Sequence, residues 1–175
     1  MSFRPALFAI CAVMGSGCGS AAESLDPFIA FSDPVRCTPS KDLNDLLKSV
    51  LNHEDEGGVS VVTLAKRPVP QALVGRVGEP RLEFDGREYS ATVPLDGTWQ
   101  GLPLRALVIT GWIESEEGFS LIFEASRVEV ISAANRVGFR LPPSGRVHLD
   151  DDVMGMSIGV ADHPGGGTEL SCMPG

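Results

Sequence analysis

Residues 81–93 read RLEFDGREYSATV, and this stretch decides the fold class. Apolar side chains alternate with polar ones on both sides of Asp85-Gly86, which is the pattern of two half-buried strands. An Asp-Gly pair between alternating runs is the strongest short-range signal for a β-hairpin. A two-residue turn at Asp85-Gly86 predicts that Leu82 lies opposite Tyr89, on one face of the hairpin.

More strands follow along the chain. Leu104–Ile113 is an apolar strand, residues 114–118 turn it, and Phe119–Phe123 alternates back to make a second hairpin. Further strands are predicted at four places: Val59–Lys66, Arg146–Leu149, Val153–Val160 and Thr168–Cys172. The sequence therefore predicts an α+β, mainly β fold, with a single-domain antiparallel sheet arranged as a sandwich or a partly open barrel.

An amphipathic helix is predicted ahead of these strands. Thr38 can cap it, and Pro39 fits its first position, where a missing N–H has no cost. The helix is predicted to run for about fifteen residues and to end at Glu54–Gly58. One face carries apolar side chains at helical spacing: Leu43, Leu46, Leu47, Val50 and Leu51.

Residues 126–137 have two interpretations. Ser126 and Glu129 have the spacing of a capping box, and Gly138 suits the end of a helix. A strand is favoured instead by three β-branched residues, Val128, Val130 and Ile131. The capping box makes a second helix the prediction here, with a strand as the alternative.

The N-terminus has the block order of a bacterial-type signal peptide. Arg4 gives it a positive start, Ala6–Met14 is apolar but too short to span a bilayer, and small residues follow. Cleavage after Ala22 is predicted, which leaves residues 23–175 as a single acidic, mainly antiparallel-β domain that is periplasmic or secreted. The alternative is a lipoprotein anchored to a membrane through Cys18, although Gly15 replaces the aliphatic residue expected three positions earlier.

Charge limits the classes of partner. The whole chain carries a net charge of −9, and the predicted signal peptide would remove one positive charge, Arg4. Such a balance argues against nucleic acid and anionic membranes as partners, because both repel it. It favours either a basic protein partner or solubility alone.

Cys37 and Cys172 are the cysteines that remain after signal cleavage. An even pair in an exported chain predicts a disulfide, here one that joins the two ends of the domain. No cofactor is predicted. No metal site is predicted either, because the two cysteines lie far apart and the three histidines are scattered.

A hydrolase is the minor hypothesis. Gly155-Met156-Ser157-Ile158-Gly159 has the glycine and serine spacing of a nucleophile elbow, with His163 as a candidate base and one of Asp150, Asp151 or Asp152 as its orienting acid. No helix follows Ser157, as an elbow requires. A plain strand, with its small residues on one face, is therefore the favoured interpretation.

A binding function points to a second set of candidate residues. Trp99, Leu102 and Trp112 lie near turns, where an aromatic side chain can serve an exposed recognition loop or plug the core at a sheet corner. Glu117 belongs to an acidic hairpin tip that is expected to be solvated. The leading hypothesis is a non-catalytic binding or interaction protein of the cell envelope, which includes an inhibitor of, or partner to, a basic protein. A passive structural component is a third possibility.

Overall fold

A computed structural model of the chain describes residues 22–56, 59–65, 67–113, 117–149 and 155–174. The predicted signal peptide up to residue 21, with Cys18, and the acidic stretch Asp150–Asp152 lie outside these ranges. Two helices are described, α1 (Lys41–Val50) and α2 (Arg127–Arg136). The strands are β1 (Phe31–Asp33), β2 (Thr38–Pro39), β3 (Leu51–Glu56), β4 (Val59–Leu64), β5 (Arg81–Asp85), β6 (Glu88–Trp99), β7 (Leu102–Trp112), β8 (Glu117–Phe123), β9 (Arg146–Leu149), β10 (Met156–Asp162) and β11 (Thr168–Pro174).

Seven strands form one antiparallel sheet in the order β5-β6-β7-β8-β11-β10-β9. Because β5 and β9 lie at opposite edges, the sheet is open and is not closed into a barrel. The predicted mainly β, antiparallel class is confirmed. The second layer of the fold comes from the N-terminal segment, α1 and α2, which pack on one face of this sheet, and not from a second large sheet.

The strand register divides the sheet into an apolar face and a polar face. Side chains that stand beside one another across five strands form a row of the core: Ala91, Ile109, Phe119, Cys172 and Ile158. The neighbouring row on the opposite face is Ser90, Thr110, Gly118, Met173 and Ser157. Period-two alternation therefore makes one face apolar and the other small and largely polar, although Ser120 and Ile122 of β8 are buried on that second face as well.

The first predicted hairpin is present, with its turn one residue later than predicted. Asp85 pairs with Glu88, so the turn residues are Gly86 and Arg87, and Leu82 lies opposite Ala91 instead of Tyr89. Gly86 has a φ of +65°, which suits the first central position of a II′-type turn. Asp85 therefore stays in the strand, and Phe84 takes the place opposite Tyr89.

Helix α1 is shorter than the predicted fifteen residues. Its N-cap is Ser40, whose hydroxyl accepts a hydrogen bond from the backbone N–H of Leu43, while Thr38 and Pro39 form β2. The helix stops at Val50 because the next six residues pair with β4 as an antiparallel hairpin. The apolar stripe nevertheless faces the core, since Leu43, Leu46 and Val50 are buried.

Helix α2 confirms the helical interpretation of residues 126–137. Ser126 is its N-cap, and the full capping box with Glu129 is formed. The hydrogen bond from the Ser126 hydroxyl, and then the one from its backbone N–H, hold the pKa of Glu129 below its ordinary value. Val130 and Ala133 are fully buried, so local capping and tertiary packing agree.

The predicted Cys37–Cys172 disulfide is present, with 5.9 Å between the two Cα atoms and 135 positions between the residues. It ties the turn before β2 to β11, so both ends of the domain are fixed to the centre of the sheet. Beside it, the ring of Phe31 packs on three other aromatic rings: Trp99, Phe119 and Phe139. This aromatic group extends the core as far as the disulfide.

Candidate functional site

A cavity of about 630 Å³ lies between the α1–β3 segment and the apolar face of the sheet. We call it the α1–sheet cavity. Residues of β7, β8, β10 and β11 form one wall, and α1 with the start of β3 forms the other. The Cys37–Cys172 disulfide lies in the lining, where the two walls are tied together.

The floor of the α1–sheet cavity is apolar. Phe119 reaches it from β8, where its ring stacks on Phe31 at a centroid distance of 6.1 Å. The floor therefore continues the aromatic core. The apolar side chains that line the cavity are Pro39, Leu47, Leu51, Ile109, Phe119 and Met156.

Polar and charged side chains also line the cavity, and they differ between its two walls. Lys48 lies on α1, and Arg67 donates a hydrogen bond from Nη1 to the backbone carbonyl of Lys48 at 3.1 Å, so both cations belong to the helix wall. Glu117 lies on β8 in the sheet wall. The remaining polar side chains are Asn44, Asn52, His53 and Glu54.

Glu117 is held by a buried tyrosine and a histidine. The Tyr89 hydroxyl donates to Oε1 of Glu117 at 2.6 Å, and Nε2 of His53 lies 3.0 Å from the same oxygen. Tyr89 is only 1% exposed, whereas the Glu117 side chain is 36% exposed. Burial, followed by the hydrogen bond to Glu117 and the charge of that carboxylate, raises the pKa of Tyr89 well above its ordinary value. Tyr89 is therefore a neutral donor that fixes Glu117 at the mouth of the cavity.

A glycine makes room for this tyrosine. Gly111 lies directly opposite Tyr89 in the β6–β7 register. A Cβ atom on Gly111 would lie 2.5 Å from the Tyr89 hydroxyl oxygen and 2.8 Å from its ring carbon Cζ. Only glycine therefore lets the ring lie flat across β7 and reach Glu117.

Comparisons with protein families, curated proteins and solved structures find no match to this chain.

The structure does not bring Ser157 and His163 together. Ser157 lies in β10 and His163 directly follows that strand, six positions further on, which corresponds to about 20 Å along an extended chain. Ser157 instead lies opposite His148 on β9, and its hydroxyl oxygen is 2.9 Å from Nδ1 of that histidine. The third member of the predicted set, Asp150, lies outside the described residues.

The backbone around Ser157 is poorly arranged for acyl transfer. Ser157 is paired with His148 on one side and with Met173 on the other, so the ladder hydrogen bonds of β10 use its backbone groups. An oxyanion hole needs backbone N–H groups that point together at one site. Ser157 lies within the antiparallel strand β10, in agreement with the strand predicted at Val153–Val160, of which Val153 and Met154 lie outside the described residues.

His163 lies in a different polar group. Its Nδ1 is 3.5 Å from Oε2 of Glu169, but this buried nitrogen makes no hydrogen bond of acceptable geometry. Oε1 of Glu169 accepts a hydrogen bond from the Ser120 hydroxyl at 2.5 Å. The Glu169 carboxylate therefore lies between Ser120 and His163. A catalytic serine instead needs the histidine next to it.

The predicted binding residues are dispersed. Trp99 is 1% exposed and donates Nε1–H to the carbonyl of Ile29 at 2.6 Å. It therefore fills the core, as one of its two predicted roles requires, and cannot serve as an exposed contact. Leu102 is half-buried against the same core. Trp112 is 57% exposed at the end of β7, with its side chain on the face opposite Tyr89 and the α1–sheet cavity.

Two findings bear on other classes of function. No group of three His, Cys, Asp or Glu side chains with metal-binding geometry occurs in the part of the chain that the structure describes. Neither of the described helices is long and apolar enough to cross a membrane.

Sequence reasoning missed His53 and assigned Glu117 to a solvated tip. These residues are distant in sequence, and they meet because the β3–β4 hairpin folds back over the sheet. One signal was present in the sequence: Gly111 falls opposite the chain's single tyrosine once the two hairpins are joined.

Proposed function

We propose that this protein is an exported, non-catalytic binding protein, and that the α1–sheet cavity takes a small, largely apolar ligand. The cavity itself carries the proposal. Its volume of about 630 Å³ falls within the range of natural ligand sites, which is roughly 300–1,000 Å³. Such sites combine an apolar lining with a few fixed polar groups, as Phe119, Met156 and the anchored Glu117 do here.

Export is supported by the order of charged, apolar and small residues before Ala22, and by the disulfide, which suits an oxidising compartment. We propose a periplasmic or secreted location, with a lipid anchor on Cys18 as the alternative. The intact mass of protein from an exporting host distinguishes the two. Cleavage after Ala22 gives the mass of residues 23–175, lipidation adds the mass of acyl chains, and an uncut chain would contradict export.

The ligand proposal is tested with 1-N-phenylnaphthylamine, a neutral apolar dye whose fluorescence rises when it leaves water. The processed, disulfide-bonded protein is expected to bind the dye in a saturable way. The variant Leu47→Trp fills the cavity from the helix wall and should weaken binding at least about tenfold, because the lost space removes apolar contact.

Val128→Trp is the matched control, because Val128 is an apolar helix residue that is 76% exposed on α2, away from the cavity. It should bind the dye as the unaltered protein does. Absence of saturable binding, or equal binding by the two tryptophan variants, would contradict the proposal. A basic protein that is retained by immobilised protein and does not compete with the dye would favour the interaction hypothesis instead.

A further inference from the structure

We infer that the α1–sheet cavity takes a short apolar peptide with free ends, whose ammonium group faces Glu117 and whose carboxylate faces Lys48 and Arg67. This inference rests on the proposed function, since it names the class of ligand for the same cavity. Two features support it, the unused charge on each wall and the size of the space between them.

Glu117 retains an acceptor for a cation. The hydrogen bond from Tyr89 and the close contact with Nε2 of His53 both involve Oε1, and Oε2 receives no hydrogen bond from the described residues. An ionised carboxylate has about four lone-pair sites on its two oxygens, so one oxygen remains for a ligand. Tyr89 also limits the rotamers of the carboxylate, which reduces the entropy that a ligand would have to overcome.

The helix wall has cations available for an anion. Within the described residues, neither Lys48 nor Arg67 forms an ion pair, and the one hydrogen bond recorded for Arg67 uses Nη1 alone. A guanidinium has five N–H donors, so the others can reach a carboxylate. Lys48 and Arg67 therefore place two cations on the α1 side of the cavity, where Glu54 of β3 adds one carboxylate, and Glu117 places an anion on the sheet wall.

The size of the cavity selects a peptide over a single amino acid. A sphere of the cavity's volume is about 11 Å across, and three residues of extended chain span about 10 Å. A tripeptide is therefore about as long as a cavity of this volume is wide. Its apolar side chains would then lie against Leu47, Phe119 and Met156.

The test uses trileucine in four forms: with free ends, acetylated at the N-terminus, amidated at the C-terminus, and blocked at both ends. Affinities are measured by displacement of the neutral dye from the processed protein. We expect the free form to bind most tightly and each block to weaken binding about 3- to 10-fold, as for a partly exposed ion pair.

Two variants assign each end of the peptide to a wall. Glu117→Gln keeps an acceptor for Tyr89 but removes the charge, so acetylation should no longer weaken binding to it. Lys48→Gln should reduce the effect of amidation in the same way. The controls Glu83→Gln and Arg140→Gln remove exposed charges outside the cavity and should keep the full effect of both blocks.

The outcomes separate this inference from the proposed function. If the doubly blocked peptide binds as tightly as the free one, or if the dye binds and no peptide displaces it, the inference is wrong and the apolar binding function stands. If neither dye nor peptide binds, both are wrong. Should Glu117→Gln fail to fold, the Lys48→Gln arm still decides, because Lys48 is an exposed helix residue.

Discussion

Replacing Tyr89 by phenylalanine removes one hydroxyl group from a buried ring and leaves Glu117 without its donor. A hydrogen bond to a charged acceptor contributes about 1.5–3 kcal/mol, and we expect the lower end because Glu117 is partly exposed and can bind water instead. A loss of about 1.5 kcal/mol in a domain of this size lowers the melting temperature by roughly 3–6 °C.

The same tyrosine predicts a dependence of stability on pH. Its pKa is raised in the folded state, whereas an unfolded tyrosine ionises near pH 10. Above about pH 10 the unfolded state therefore binds fewer protons than the folded state, so stability falls as the pH rises and is fully present at lower pH. Tyr89→Phe should lose this alkaline slope.

The assay is direct because Tyr89 is the single tyrosine of the chain, so all phenolate absorbance belongs to it. Folded protein at about pH 11 should show almost no phenolate signal, and the signal should appear together with unfolding. Guanidinium titrations at about pH 8 and about pH 11 should show a larger loss for the unaltered protein than for Tyr89→Phe. Phenolate formation near pH 10 in folded protein, or equal alkaline slopes in both proteins, would refute the reasoning.

Three further predictions concern stability. Gly111→Ala should cost about 1–3 kcal/mol because its methyl group would displace the Tyr89 ring, and a thermal melt that matches the unaltered protein would show that the ring moves without cost. Joint replacement of Cys37 and Cys172 by alanine should lower the free energy of unfolding by about 5 kcal/mol according to the loop-entropy model, and a lower guanidinium midpoint would measure this loss. A loss under about 1 kcal/mol would mean that opening the loop adds little conformational entropy to the unfolded chain. Ser126→Ala should cost about 1 kcal/mol through loss of the N-cap of α2, and an unchanged melting temperature would show that packing alone fixes that helix.

The strands could be predicted because their signals are local. Alternation around Asp85-Gly86 predicted the first hairpin, and Ser126 with Glu129 predicted α2. The turn position was wrong by one residue, because Asp and Gly can each occupy more than one position in a turn and pairing with β7 also restrains the register.

The length of α1 could not be predicted from its stripe. Leu51 continues the helical spacing, yet it is the first residue of β3, because the strongly β-branched β4 needs a partner along its edge. Tertiary pairing therefore overrides the helical period at this position. Four of the five stripe residues are nevertheless buried, and Leu47 is partly buried.

The site lay beyond sequence reasoning because its parts come from separate segments. His53, Tyr89 and Glu117 lie on three different hairpins, β3–β4, β5–β6 and β7–β8, and only the tertiary fold brings them together. No spacing rule connects such residues. Conversely, the glycine and serine spacing around Ser157 looked like a catalytic motif, and the structure places it within an ordinary strand.

The most direct test of the binding site is an amide chemical-shift titration of the isotope-labelled, processed protein with the neutral dye. We expect the largest shifts at residues that line the α1–sheet cavity, above all Leu47, His53 and Phe119, with little change at Ser157 or Trp112 on the opposite face. Shifts centred on that opposite face, or no saturable shifts at all, would contradict the account.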